Sequence, residues 1–182
     1  MINIYEVSKN WATNGQWKIA PAGLSWINEG SRIIVGEGAT IVYRATIGDR
    51  ATIGEWATIG EWATIGYRAT IGEGATIGYR ATIGDRATIG YRATIGDRAT
   101  IGEGAQVGPN SSDAVDIGTA DGYRKCVAQV DGVAYIGAGC RWFTLDDAIK
   151  HWGSHTEDRS LTMCLLQSAT AIAKLRGWKT GV

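Results

Sequence analysis

Histidine, proline and cysteine are all scarce in this 182-residue chain, at two, two and three residues. With glycine at 26, about twice its usual share, but almost no proline and no strict Gly-X-Y period, a collagen-like chain is excluded. Cys126, Cys140 and Cys164 are too few and too late in the chain for a disulfide scaffold, which points to reduced thiols and a cytoplasmic protein. Neither sign of charge dominates: 18 Lys and Arg balance 18 Asp and Glu. That argues against a dedicated nucleic-acid binder, which would carry a basic excess. No apolar run reaches the length of a membrane span. The start, MINIYEVSKNWATNG, shows neither the basic nor the apolar region of a signal peptide. Hydrophobic residues at 45% and charged residues at 20% are those of a globular chain.

What the sequence has in abundance is a repeat. Ala-Thr-Ile-Gly occurs ten times, every six residues, from Ala45 to Ala99. In the register Ile-Gly-x-x-Ala-Thr, twelve hexads run from Val35 to Gln106. Six residues match neither a 3.6-residue helix nor a heptad; they suit a short strand and a corner, repeated. Ala and Ile flank Thr, so they face one way and Thr the other. The expected core is therefore Ile47, Ile53, Ile59, Ile65, Ile71, Ile77, Ile83, Ile89, Ile95 and Ile101. The glycine after each Ile is expected where the chain turns.

The hexad resembles the hexapeptide-repeat family: an aliphatic residue, Gly, two free positions, a small residue and another free position. The resemblance implies a mainly β fold, a left-handed parallel β-helix of triangular cross-section with three hexads per coil. Twelve hexads make four coils, a prism roughly 19 Å tall. The chain then divides into an N-terminal cap (1–34), the β-helix (35–108), a linker loop (109–122) and a C-terminal unit of hairpin and two helices, ββαα (123–182).

Every third hexad stacks, so the free positions form columns. Glu37, Glu55, Glu73 and Tyr91 run beside Gly38, Trp56, Gly74 and Arg92. Tyr43, Glu61, Tyr79 and Asp97 run beside Arg44, Trp62, Arg80 and Arg98. Asp49, Tyr67, Asp85 and Glu103 run beside Arg50, Arg68, Arg86 and Gly104. Trp56 between two glycines has room to lie flat, and Trp62 between Arg44 and Arg80 is placed for cation–π stacking. The candidate interaction surface is Trp56, Trp62, Tyr43, Tyr67, Tyr79, Tyr91, Arg44, Arg80 and Arg98. The alternative is a solvated, ion-paired surface. Stacked Thr columns also resemble the flat arrays of ice-binding proteins, although here Gly or Arg flanks each Thr.

The ends are expected to cover the open edges of the helix. MINIYEV reads as a strand, and Trp11, Trp17 and Trp26 as seals of the lower core. Tyr123–Val130 and Val133–Phe143 flank Asp131-Gly132, a hairpin signal that sets Cys126 opposite Gly137 and not Cys140. Thr144 with Asp147 marks a helix start, ending near Gly153. A second helix is expected from about Glu157 to Arg176, with Leu161, Leu165, Ala169, Ile172 and Leu175 inward. The string YIGAGCRWFTLDDAIKHW resembles tails of phage and prophage proteins of uncharacterised role.

Many hexapeptide-repeat proteins are trimeric acyltransferases using acyl-CoA or acyl carrier protein, with a coil histidine as general base. Here both histidines, His151 and His155, follow the coils. Neither the three-His zinc site of carbonic-anhydrase-like relatives nor any other metal or cofactor is implied, and a Cys140/His151 pair carries no mark of an activated thiol. The expectation is a non-catalytic scaffold or interaction module: a homotrimer that binds a protein, one of a host's defences if the chain is phage-encoded, with no membrane or nucleic-acid role. The alternatives are a trimeric acyltransferase, with His151 as its base, and an ice-binding or structural virion protein.

Overall fold

The structure, a computed structural model, describes residues 1–138, 141–154 and 160–181. The N-terminal segment comprises β1 (Ile2–Asn3), α1 (Ile4–Ser8), β2 (Ala12–Asn14), β3 (Trp17–Ile19) and β4 (Arg32–Val35). Two-residue strands β5 to β16 then recur every six residues, from Thr40–Ile41 to Gln106–Val107. Every third strand pairs in parallel, building three faces. Face one stacks β5, β8 (Thr58–Ile59), β11 (Thr76–Ile77) and β14 (Thr94–Ile95). Face two stacks β4, β7 (Thr52–Ile53), β10 (Thr70–Ile71), β13 (Thr88–Ile89) and β16. Face three stacks β6 (Thr46–Ile47), β9 (Thr64–Ile65), β12 (Thr82–Ile83) and β15 (Thr100–Ile101). The result is a β-solenoid of about four turns.

The alternation expected from the hexad sets the interior. All ten isoleucines from Ile47 to Ile101 are buried, and the hexad alanines are buried with them except Ala99, which is half-buried. Thr stands outside, half-buried or exposed. A fully buried Ile stabilises by about 1.5–3 kcal/mol through area removed from water.

The turning residue is not the one expected. The glycines after Ile do not carry a left-handed φ; the fourth hexad residue does, whether Gly38, Gly74 and Gly104 or nine Arg and Trp residues such as Trp56 (φ 57°) and Arg68 (φ 56°). That corner N–H donates to the third-position carbonyl of the coil below, as in Trp56 N to Glu37 O (2.8 Å) and Arg68 N to Asp49 O (3.0 Å). The glycine after Ile is needed for a different reason. A Cβ on Gly72 would lie 2.6 Å from the Gly90 carbonyl carbon, because successive coils pass backbone against backbone.

Both ends are covered. At the bottom, β1 pairs antiparallel with β5, β3 pairs with β4, and Trp26 O accepts from Ile47 N (2.8 Å). MINIYEV is thus a two-residue strand running into a helix, with Asn3 as N-cap accepting from Glu6 N (3.0 Å). Trp26 is buried and stacks on Trp11 (centroids 5.5 Å apart) as the lower seal; Trp17 stays half-buried at the surface.

At the top, four strands form an antiparallel sheet: β17 (Ser112–Ala120), β18 (Tyr123–Val130), β19 (Val133–Ala138) and β20 (Arg141–Thr144). The stretch read as a linker, 109–122, is therefore mostly a nine-residue strand, and the C-terminal unit has four strands before its helices. Asp116 gives the strand its hold: its carboxylate accepts from Gly102 N, from Gly118 N and from Arg124 Nε (2.7, 2.9 and 2.7 Å). Cys126 faces Gly137 across the hairpin. Its thiol donates to Gln106 O of the last coil (2.8 Å), and burial foremost, then the Asp116 charge, pushes its pKa up to about 12. Cys140 lies outside the described residues.

Helix α2 (Leu145–Gly153) starts at Thr144, whose hydroxyl accepts from Asp147 N and donates to the Asp147 carboxylate. Helix α3 (Ser160–Leu175) packs a different face from the one expected; residues 157–159 of the expected helix lie outside the described residues. Thr162, Leu166, Ala169 and Ala173 are buried, whereas Leu161 and Leu175 face solvent. The helix is rotated because Thr162 hydrogen-bonds Asp121 at the β17–β18 turn. With Leu145, Ala148 and Trp152 this face builds a second core, separate from the coil interior.

Candidate functional site

The candidate surface residues sit at the corners of the prism, and the fold distributes them over three columns. Tyr43, Arg44, Trp62, Tyr79, Arg80 and Arg98 share the corner between faces one and three. Trp56 and Tyr91 lie on the corner across face one, and Tyr67 on the third. Six of the nine are thus brought together and three are not.

The shared corner is a continuous stack. The Arg44 guanidinium lies over the Tyr43 ring (5.0 Å) and the Trp62 ring (4.5 Å). Arg80, one coil on from Trp62, lies over the same Trp62 ring (5.9 Å) and over Tyr79 (5.1 Å). At the coil spacing of about 4.8 Å Trp62 meets a cation from the coil on either side, while Tyr43 and Tyr79 each meet the arginine that follows them in their own coil. Trp56 is 63% exposed, and its indole fills the space that a Cβ would take at Gly38.

His151 lies on α2, in an open groove with Arg141, Trp142 and Phe143. Its ring stacks on Phe143 (5.2 Å) and meets Trp152 edge-on (5.3 Å). Arg141 Nη1 stands 2.8 Å from Nε2. A guanidinium only donates, so Nε2 is the acceptor and the ring proton of the neutral form sits on Nδ1. The lone pair that a general base would use is engaged by Arg141. His155 lies outside the described residues. Among the described residues no group of three His, Cys, Asp or Glu is placed to hold a metal ion, and no helix is long and apolar enough to cross a membrane.

Residues 44–79 match the family model for the bacterial transferase hexapeptide, six repeats. Over those residues the coil carries the hexapeptide repeat of that model. Among solved structures the chain is similar to a hexapeptide transferase family protein from Anaplasma phagocytophilum, at 17% identity over 84% of this chain and 87% of that one, with a TM-score of 0.23. A Bacillus cereus protein named as an acetyltransferase gives 17% identity over 89% and 95% of the two chains, again with a TM-score of 0.23. Likeness this distant carries no argument about activity. No curated protein sequence matches the chain.

At the third corner the sequence columns place Arg50 and Arg68 but not the groove that Trp17 and Arg32 complete. Arg32, Arg50 and Arg68 line one groove with Trp17. The signal was there in part: arginine recurs at Arg50, Arg68 and Arg86, every 18 residues.

Proposed function

We propose that this hexapeptide-repeat protein works by binding, as a homotrimeric scaffold whose corner columns contact a protein partner. The observation that supports it is the Tyr43–Arg44–Trp62–Arg80–Tyr79 stack, which holds aromatic rings and guanidinium groups at a solvent-exposed edge. Aromatic residues and arginine are the side chains enriched at interface hot spots. A ring stacked against two cations, as Trp62 is, has little rotamer freedom left to lose on binding. The capped ends leave lateral faces as the route to a trimer. Light scattering is expected to give three times the 19.4 kDa chain mass, and a monomer at micromolar concentration rejects the assembly. A partner captured by the protein is expected to be lost on Trp62→Ala with Arg44→Ala; unchanged capture rejects the corner.

A second proposal, trimeric acyl transfer with acyl-CoA, is favoured by the family description matched at 44–79. It needs a base beside the acceptor. No histidine occupies an outward coil position, so the base of this reading is His151, released from Arg141 and reaching a neighbouring subunit. Stoichiometric acetyl-CoA binding by calorimetry, with thioester cleavage that disappears in His151→Ala, establishes this second function and displaces the first.

A further inference from the structure

The third corner is built unlike the other two. Arg32, Arg50 and Arg68 stand one above another at coil register, since Arg50 N donates to Arg32 O and Arg68 N to Asp49 O. With the half-buried Trp17 of β3 they line a groove of about 400 Å³. Two of the three guanidinium groups meet one carboxylate there, and Arg50 Nη1 also donates to the Tyr67 hydroxyl (3.2 Å). Asp49 Oδ1 accepts from Arg32 N (2.7 Å), while its Oδ2 stands 3.9 Å from Arg32 Nη2 and 3.6 Å from Arg50 Nε. Asp85, the next carboxylate in the column, turns Oδ1 to Tyr67 N (2.8 Å), and Glu103 pairs with Arg86 (3.1 Å). Among the described residues no carboxylate comes within ion-pair distance of Arg68, which lies over the Tyr67 ring (5.1 Å). Stacking arginines at a coil spacing of about 4.8 Å sets like charges well inside the screening length of about 8 Å. An anion in the groove relieves that repulsion.

We infer that this groove binds a nucleoside phosphate, its phosphates on the Arg50 and Arg68 guanidinium groups and its planar base against Trp17. Guanidinium forks match phosphate oxygens in pairs. An indole at the groove wall offers a face for stacking that inorganic phosphate cannot use. The volume lies within the range of small-ligand sites.

The test is calorimetry on the full chain at low ionic strength, with ADP, pyrophosphate, adenosine and a short oligothymidylate as probes. ADP is expected to bind more tightly than pyrophosphate or adenosine, and added salt to weaken it. Arg68→Gln, at an exposed position, is expected to weaken ADP and pyrophosphate by about tenfold or more. Arg68→Lys is expected to recover part of that loss, as charge without the fork. Trp17→Leu is expected to weaken ADP and leave pyrophosphate unchanged. The circular-dichroism melt of each variant confirms its fold. No ADP binding, ADP binding indifferent to Arg68→Gln, or tight binding of the oligonucleotide alone overturns the inference. ADP no tighter than pyrophosphate, or unaffected by Trp17→Leu, overturns the nucleoside part of it.

Discussion

Two glycines at the same hexad position are expected to respond to alanine with opposite signs. Gly72 and Gly96 both follow a buried isoleucine, and neither has a left-handed φ. Replacing such a glycine ordinarily stabilises by about 0.4–1 kcal/mol, because the unfolded chain loses freedom. At Gly96 nothing lies within 4 Å of the new Cβ, so that gain is expected in full. At Gly72 the Cβ would stand 2.6 Å from the Gly90 carbonyl carbon and 2.8 Å from Gly90 O and Tyr91 N. Restoring ordinary contact means parting the coils by roughly 0.8 Å, which would break the 2.8 Å bond from Gly72 N to Ile89 O. One hydrogen bond, about 0.5–1.5 kcal/mol, and overpacking, about 1–3 kcal/mol, exceed the entropic gain. The net loss is about 1–3 kcal/mol. At about 2–4 °C per kcal/mol for a chain of this size, circular-dichroism melts are expected to fall by about 2–12 °C for Gly72→Ala and rise by about 1–4 °C for Gly96→Ala. Shifts of the same sign would refute the close-approach argument.

Other perturbations test other parts of the fold. Ile71→Ala, in a central coil, is expected to cost about 2–5 kcal/mol in urea unfolding, and a loss under 1 kcal/mol would contradict its burial. Arg98→Gly, at φ 58°, relieves a left-handed penalty of about 1–2 kcal/mol against glycine's entropic cost of about 0.5–1 kcal/mol, so a melt raised by a few degrees is expected. In a Cys140→Ser background, exposed Cys164 is expected to react with a thiol reagent at pH 8, and Cys126 only after unfolding. A thiol held near pKa 12 is almost wholly protonated there; rapid modification of both thiols in the native protein would contradict its burial.

The hexad was fully legible because its period fixes which side chains point inward, whatever the residues between. The corner was misread because glycine is the usual left-handed residue and each hexad has one after Ile. The left-handed position is disguised, held by Arg or Trp in nine hexads and signalled by Gly only at 38, 74 and 104. Strand β17 was hidden for another reason. Its approach and start, Ser111-Ser112-Asp113, are turn-like in composition, and what holds it as a strand is long-range: pairing with β18 and Asp116 reaching Gly102 in the coil. The face of α3 depends on Thr162 meeting Asp121, 41 residues away, which helix periodicity cannot show. Of the candidate surface, stacking on Trp62 followed from the 18-residue register. The Trp17 groove did not, since Trp17 belongs to an irregular cap.

The caps at the two ends constrain how this protein can change length. Each face begins on a different piece of the N-terminal segment; faces one and three end against β17, and face two ends against β18 and β19. Gaining or losing 18 residues moves the upper cap by one strand spacing, about 4.8 Å, with every face still meeting its own cover. Gaining or losing six turns the cap by a third of a revolution, setting Asp116 over the wrong corner and uncovering a strand edge. The prism is therefore a ruler graduated in whole coils: its height can drift through tandem duplication, while the bearing of the cap relative to the corner columns stays fixed.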